Sequence, residues 1–246
     1  MLLGPERRLI VQYAKRLRPD GLVVLTAGNI SARSGDLVAI TPGSFDYDRL
    51  TPGRICVVHL DGTSAEVLLP PSSELPMHLA VYRAAPEARA VVHTHAPYAS
   101  ALSTVVDELP ALHYLIAQLG GPVRVAPYAT FGSEELAESV ANALEGRTAA
   151  LLGNHGTIAY GETVEEAYAH TMLLEWLSAL YLRSSLLGEP RLLAGEEIEL
   201  VARKLSRREA PAGSSQPSGS APRAHGPARE RPHGPAADRR SRESRR

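Results

Sequence analysis

Residues 90–97 read Ala90-Val91-Val92-His93-Thr94-His95-Ala96-Pro97. An apolar run ends in two histidines at i and i+2, and Pro97 closes it. Side chains two apart in a strand point the same way. One rigid element can therefore aim the imidazoles of His93 and His95 at one point, with Thr94 facing away. Imidazole nitrogen is a common ligand for zinc and its neighbours, and a catalytic zinc takes three protein ligands and leaves one position open. Two ligands are offered here. From these residues alone, two histidines aligned on an ordinary strand read equally well.

A third ligand is found further on. Ala149 to Leu152 is another short apolar strand, and it ends in Gly153-Asn154-His155-Gly156. Flanking glycines give a histidine no walls to pack against, but they allow close approach of backbone and ligand. His155 is the candidate third ligand. The chain has one cysteine, Cys56, so no intrachain disulfide forms and a cysteine-ligated zinc is not expected.

Upstream lies Pro70-Pro71-Ser72-Ser73-Glu74-Leu75-Pro76. Ser73 reads as a helix N-cap and Pro76 fits a first turn. Glu74 then sits in that turn, where the helix dipole favours a negative charge. It reads either as a capping carboxylate or as a functional one. His78, one turn on, reads as a local i,i+4 contact of Glu74 rather than as a ligand. His170 reads as a structural histidine.

The remaining elements follow in order. Glu6 to Leu17 is an amphipathic helix, stopped by Pro19-Asp20-Gly21. Leu22 to Leu25 reads as a buried strand and Asp36 to Ile40 as the strand returning. Between them Thr26-Ala27-Gly28-Asn29-Ile30-Ser31 reads as a turn whose donors suit an anion such as phosphate, or as a plain hairpin connection. Thr41-Pro42-Gly43-Ser44 is a second turn with a hydroxyl and a glycine. Ile55 to Leu60 and Ala65 to Leu69 are strands. Tyr98 to Ser103 is helical, and Leu109 to Gly121 carries His113 and Tyr114. Val123 to Ala126 is a strand, and Ser133 caps a helix from Glu134 to Leu144. Thr163-Val164-Glu165-Glu166 matches a capping box and opens the longest helix, to Leu187. Glu196 to Leu205 is a last short helix.

The chain has 246 residues and a net charge of −1. From Ser206 on there are 10 Arg and 4 acidic residues, a charge of +6; the body holds 16 basic and 23 acidic groups, a charge of −7. An acidic body argues against a nucleic-acid groove. No apolar run approaches the roughly 20 residues of a membrane span. The start of the chain has no long apolar segment with a cleavage site, so a cytoplasmic protein is expected. Residues 206–246 are too poor in aliphatic side chains to offset ordering entropy, and a disordered tail is expected there, behind a catalytic domain of residues 1–205. Strands joined partly by short turns and partly by helices predict a three-layer α/β/α domain with a mixed, largely antiparallel sheet.

Taken in order, Gly28-Asn29, Thr41-Pro42, Ser72-Ser73-Glu74, His93-Thr94-His95 and Asn154-His155-Gly156 resemble the class II aldolase and adducin family, in its fuculose-phosphate aldolase branch. His113-Tyr114 and Ala129-Thr130-Phe131-Gly132 are similar to that branch too. The resemblance spans residues 5 to about 200. It implies one Zn2+ per subunit held by His93, His95 and His155, with Glu74 as proton-transferring carboxylate and as metal neighbour when substrate is absent. It implies a phosphorylated sugar substrate, its phosphate resting on Gly28, Asn29, Gly43, Ser44, Ser72 and Ser73. It further implies a homotetramer with sites between subunits, where Tyr114 donates a proton from an adjacent chain.

Two departures stand out. The branch more often has Thr-Gly after the proline of the second turn, where this chain has Gly43-Ser44. A family tyrosine that closes the site from the C-terminus has no counterpart here. The body has only Lys15 and Lys204, neither in a site motif, so no Schiff-base lysine is expected. Within the family, ribulose-phosphate 4-epimerases resemble Ser-Ser-Asp where this chain has Ser72-Ser73-Glu74, which favours an aldolase. A methylthioribulose-phosphate dehydratase shares the zinc and a carboxylate. Adducin-like heads serve as non-catalytic modules, against which three histidines and Glu74 argue.

Overall fold

The computed structural model describes residues 1–209; residues 206–209, expected to open a disordered tail, instead finish the last helix, and the rest of that expected tail lies outside the described residues. Nine strands form one sheet: β1 (Gly28–Ser34), β2 (Leu37–Ile40), β3 (Cys56–His59), β4 (Ser64–Glu66), β5 (Ala90–Thr94), β6 (Glu108–Leu109), β7 (Val123–Ala126), β8 (Ala149–Leu152) and β9 (Gly156–Gly161). Their order is β4-β3-β2-β1-β5-β9-β8-β7-β6. Every neighbouring pair is antiparallel except β7 with β8. The histidine-bearing β5 lies at the centre.

The helices are α1 (Gly4–Leu17), α2 (Leu75–Ala84), α3 (Pro97–Leu102), α4 (Glu134–Ala143), α5 (Val164–Leu187) and α6 (Gly195–Glu209). Helices α1, α3, α5 and α6 cover one face of the sheet, where Ile10, Leu17, Leu102, Leu174 and Ile198 pack on Ile30, Val92 and Leu151. Helices α2 and α4 cover the other, where Met77, Tyr82, Leu136 and Val140 pack on Val91, Leu152 and Ile158. This is the expected three-layer arrangement. Among the described residues no helix is long and apolar enough to cross a membrane.

Local signals hold at several helix starts. Ser133 Oγ accepts from Leu136 N at 3.1 Å, and Thr163 Oγ1 accepts from Glu166 N at 3.1 Å. The Glu166 carboxylate reaches back to Glu162 N, one residue earlier than a capping box places it. Helix α3 gets no cap from its own sequence. Glu175 of α5 supplies one, accepting from Tyr98 N at 3.0 Å and Ala99 N at 2.8 Å.

Three local readings are corrected. Leu22 to Leu25 is not a strand: Leu22 and Val23 are buried as a plug while Val24 and Leu25 are exposed. Gly28 to Ser31, read as a turn, lies inside β1. Pairing with β2 on one side and β5 on the other outweighs the turn preference of Gly and Asn. The third concerns α2, which begins at Leu75 with Glu74, not Ser73, at the N-cap. Backbone bonds tie this segment to the turn at Thr41: Gly43 N donates to Pro70 O and Ser72 N to Thr41 O, both at 3.1 Å. Ser72 Oγ accepts from Glu74 N at 3.3 Å, which orients the carboxylate-bearing residue.

Candidate active site

The β1–β5 register sets the site. Asn29 lies directly opposite His93, and Gly28 opposite Thr94. Gly28 is needed for that approach, since a Cβ there would stand 2.6 Å from Val23 Cγ1 and 3.0 Å from His93 O. On the other side β9 starts at Gly156, where a Cβ would stand 2.2 Å from Thr94 O and 3.1 Å from the His95 ring. The preceding turn holds Asn154 at φ 54°, a conformation asparagine tolerates. That turn delivers His155 to the end of β5.

Four side chains converge there. His93 Nε2 lies 2.9 Å from Glu74 Oε2, His155 Nε2 3.1 Å from Glu74 Oε1, and His95 Nε2 3.1 Å from His93 Nε2. The three imidazole centroids are 4.9–5.0 Å apart. All four ligand atoms fall within 4.8 Å of one another. His93 is fully buried, and its Nδ1 lies 2.8 Å from the carbonyl of Thr157. That bond fixes the tautomer: Nδ1 carries the hydrogen and Nε2 presents a lone pair to the cluster.

This donor set fits a metal ion. Glu74 Oε1 is buried and has no hydrogen bond, because the neighbouring His155 ring is close but out of line. Glu74 Oε2 faces the lone pair of His93. Converging acceptors with one carboxylate oxygen left over are what a divalent cation satisfies. Burial opposes the charge on Glu74, but positive charge at the histidine cluster, at His93 first and of the kind a bound cation supplies, together with the Asn29 amide outweighs it and holds the carboxyl well below the usual range. Burial, then His93 and His155, push His95 down to about 4, so its ring is neutral and able to ligate near neutral pH.

Beside the cluster opens a cavity of about 530 Å³. All six residues expected to hold phosphate line it: Gly28, Asn29, Gly43, Ser44, Ser72 and Ser73. The Pro42–Pro71 bridge is why two hydroxyl turns distant in sequence stand side by side. Ser44 adopts φ 51°, the left-handed region that glycine prefers. No Lys or Arg lines the cavity among the described residues. Its other walls include Val24, Leu25, Tyr128 and Phe131. Tyr114 is not brought to this cavity; it is 49% exposed on a 3-10 turn (Tyr114–Leu119), with its ring stacked 4.7 Å from His113.

Some residues behind the site escaped the sequence reading. Tyr82 carries no local signal, Ser31 reads as a turn donor for an anion whereas it bonds His78 and Tyr82, and His78 reads toward Glu74 whereas its ring reaches Asn29. His170 is structural as expected, with Nδ1 2.8 Å from Tyr160 O.

Fold and site together define a class. Residues 8–182 match the family described as Class II Aldolase and Adducin N-terminal domain. The chain is 42% identical over 206 residues to a 5-deoxy-D-ribulose 1-phosphate aldolase of Bacillus thuringiensis serovar kurstaki, covering 83% of this chain and 97% of the relative. It is 41% identical over 199 residues to the L-fuculose phosphate aldolase of Escherichia coli strain K12, covering 80% and 92%. A solved L-fuculose 1-phosphate aldolase superposes with a TM-score of 0.81 at 37% identity, covering 84% and 98%. The chain belongs to the class II aldolase and adducin family. Within it, the chain is an enzyme of the aldolase kind, a lyase.

Proposed function

We propose that the protein is a zinc-dependent aldolase that reversibly cleaves a deoxyketose 1-phosphate, of the L-fuculose 1-phosphate or 5-deoxyribulose 1-phosphate kind, to dihydroxyacetone phosphate and an aldehyde. One observation carries this reading: Glu74, His93, His95 and His155 converge at the floor of a cavity whose rim is hydroxyls and turn N–H groups. The names of the relatives support it. The exposed apolar walls Val24, Leu25 and Phe131 suit a sugar that ends in a methyl group.

Zinc held by His93, His95 and His155, when bound, supplies Lewis-acid stabilisation of charge beside the substrate carbonyl. The chain's own residues do the rest. Ser72, Ser73, Asn29 and the turns at Gly28 and Gly43-Ser44 hold the phosphate without competing for the metal. Cleavage breaks the C–C bond, leaves the electron pair on the carbon next to the carbonyl, and frees the proton of the departing hydroxyl. Glu74, ionised in the free protein, takes the proton from that carbon in synthesis and returns it there in cleavage. Tyr114, from a neighbouring chain of a homotetramer, accepts that hydroxyl proton in cleavage and donates it to the aldehyde oxygen in synthesis; its exposure and its absence from its own chain's cavity support this.

The test is metal analysis followed by assay of several sugar 1- and 5-phosphates for dihydroxyacetone phosphate release. Zinc with release from a deoxyketose 1-phosphate is expected. Inversion of ribulose 5-phosphate without release would make the protein an epimerase, and a protein that binds no metal would make it a structural module.

A further inference from the structure

Behind the cavity a line of buried polar groups runs to Glu74. Tyr82 Oη lies 2.7 Å from Ser31 Oγ, which lies 2.7 Å from His78 Nδ1. His78 Nε2 bonds Asn29 Oδ1, and Asn29 Nδ2 lies 2.9 Å from Glu74 Oε2. All five side chains are buried, Ser31 and His78 completely. Bulk water cannot replace a missing partner there.

One assignment of hydrogens satisfies the whole line. A carboxylate only accepts, so Asn29 turns its NH2 to Glu74 and its Oδ1 to His78. That oxygen also only accepts, so His78 carries its hydrogen on Nε2. Burial pushes the ring's pKa down to about 3, so it is neutral and Nδ1 holds a lone pair. Ser31 then donates to Nδ1, and Tyr82 donates to Ser31. All four bonds point toward Glu74, and bonds in series polarise one another. Flipping the Asn29 amide would set oxygen against carboxylate and N–H against N–H.

We propose that His78 is a positioning residue for proton transfer: by holding Asn29 Oδ1 it locks the amide with its donors toward Glu74 and the cavity. What Glu74 then does rests on the aldolase reading; the line of bonds does not. His78 acts through Asn29 and touches neither substrate nor metal. The link recorded between His78 and Glu74 themselves is the backbone bond from His78 N to Glu74 O, at 3.4 Å.

Two measurements test this separately. The chain has three asparagines, Asn29, Asn142 and Asn154, so 15N-asparagine labelling gives three side-chain amide pairs to follow. In His78→Phe the Asn29 pair should move toward solvent-like shifts and lose protection from exchange. In the zinc-loaded protein, proton exchange into dihydroxyacetone phosphate should fall about tenfold, the scale found when a partner behind a ligand is removed. Zinc affinity, measured by chelator competition, should fall less than exchange does. Ser31→Ala and Tyr82→Phe each remove one hydroxyl and keep the test alive if His78→Phe fails to fold; smaller losses are expected, larger for Ser31→Ala. His78→Gln, which retains an N–H for Asn29, should recover part of the exchange. Unchanged Asn29 signals in His78→Phe or Ser31→Ala would overturn the proposal, as would an exchange loss matched by zinc loss. A parent protein with no exchange would sink the aldolase reading and the catalytic half of this proposal, while the amide signals would still decide the positional half.

Discussion

The two faces of the central sheet are built from alternate residues of the same strands, and they do different work. On β1, Ile30 and Ala32 enter the apolar core under α1 and α5. Asn29 and Ser31, their immediate neighbours, face α2 and join the hydrogen bonds that end at Glu74. On β5, Val92 belongs to the first face and His93 to the second. The period of two thus separates stability from chemistry within a few residues. Substitutions one position apart should fail in different ways.

The largest expected effect is on the chemical face. Glu74→Gln should cut proton exchange into dihydroxyacetone phosphate by about 10²–10⁴-fold, the usual worth of a positioned acid or base, while zinc content stays near that of the parent. Retained exchange would remove Glu74 from its role. His155→Ala, beside it, should lose metal; full zinc occupancy in that variant would take His155 out of the ligand set.

Across the sheet, Ile30→Ala should cost about 2–5 kcal/mol in denaturant unfolding, as for other fully buried large-to-small changes. Turnover per folded, metal-loaded molecule should hold. If turnover falls as steeply as stability, the two faces are not separate in function.

A pH series sharpens the contrast, because His78 and His95, the two histidines whose protonation burial opposes, lie on the α2 side. His78 is held down at about 3 and His95 at about 4, chiefly by burial, against 6.5 in an exposed ring. The unfolded chain therefore takes up these protons first. Stability of the metal-free protein should be level above pH 6.5 and fall as pH drops from there toward 3. In His78→Phe the fall should be shallower, as read from unfolding midpoints across the series; an identical slope would count against the assigned shift.

The smallest effect is at the rim. Ser44 sits at φ 51°, where L side chains are strained. Ser44→Gly should stabilise the fold by roughly 0.5 kcal/mol, the balance of relieved strain and greater unfolded-state freedom. Phosphate affinity should weaken if the swapped hydroxyl takes part, and stay level if only its backbone N–H does.

Much of this site was legible in the chain itself, for local reasons. Two imidazoles at i and i+2 need only strand periodicity to be seen as a pair. His155 was marked by glycines that leave it nothing to pack on. Ser133 and Thr163 announce helix starts through side chains that bond their own backbone. What escaped was non-local. Gly28 to Ser31 has the composition of a turn, and only pairing with both β2 and β5 makes it a strand. Glu74 sits at the cap because Ser72 is tied to Thr41, thirty-odd residues earlier in the chain. His78 meets Asn29 across the layer between α2 and the sheet, a contact that sequence spacing does not encode.

Glu175 carries a last consequence. It grips the first N–H groups of α3, and α3 begins two residues after His95. Helix α5 is thereby fastened to the backbone that aims an imidazole at the cluster, although it lies on the apolar side of the sheet. Ligand and helix form one mechanical piece. Without the Glu175 carboxylate, two N–H groups at the start of α3 would lose their acceptor within four residues of a ligand.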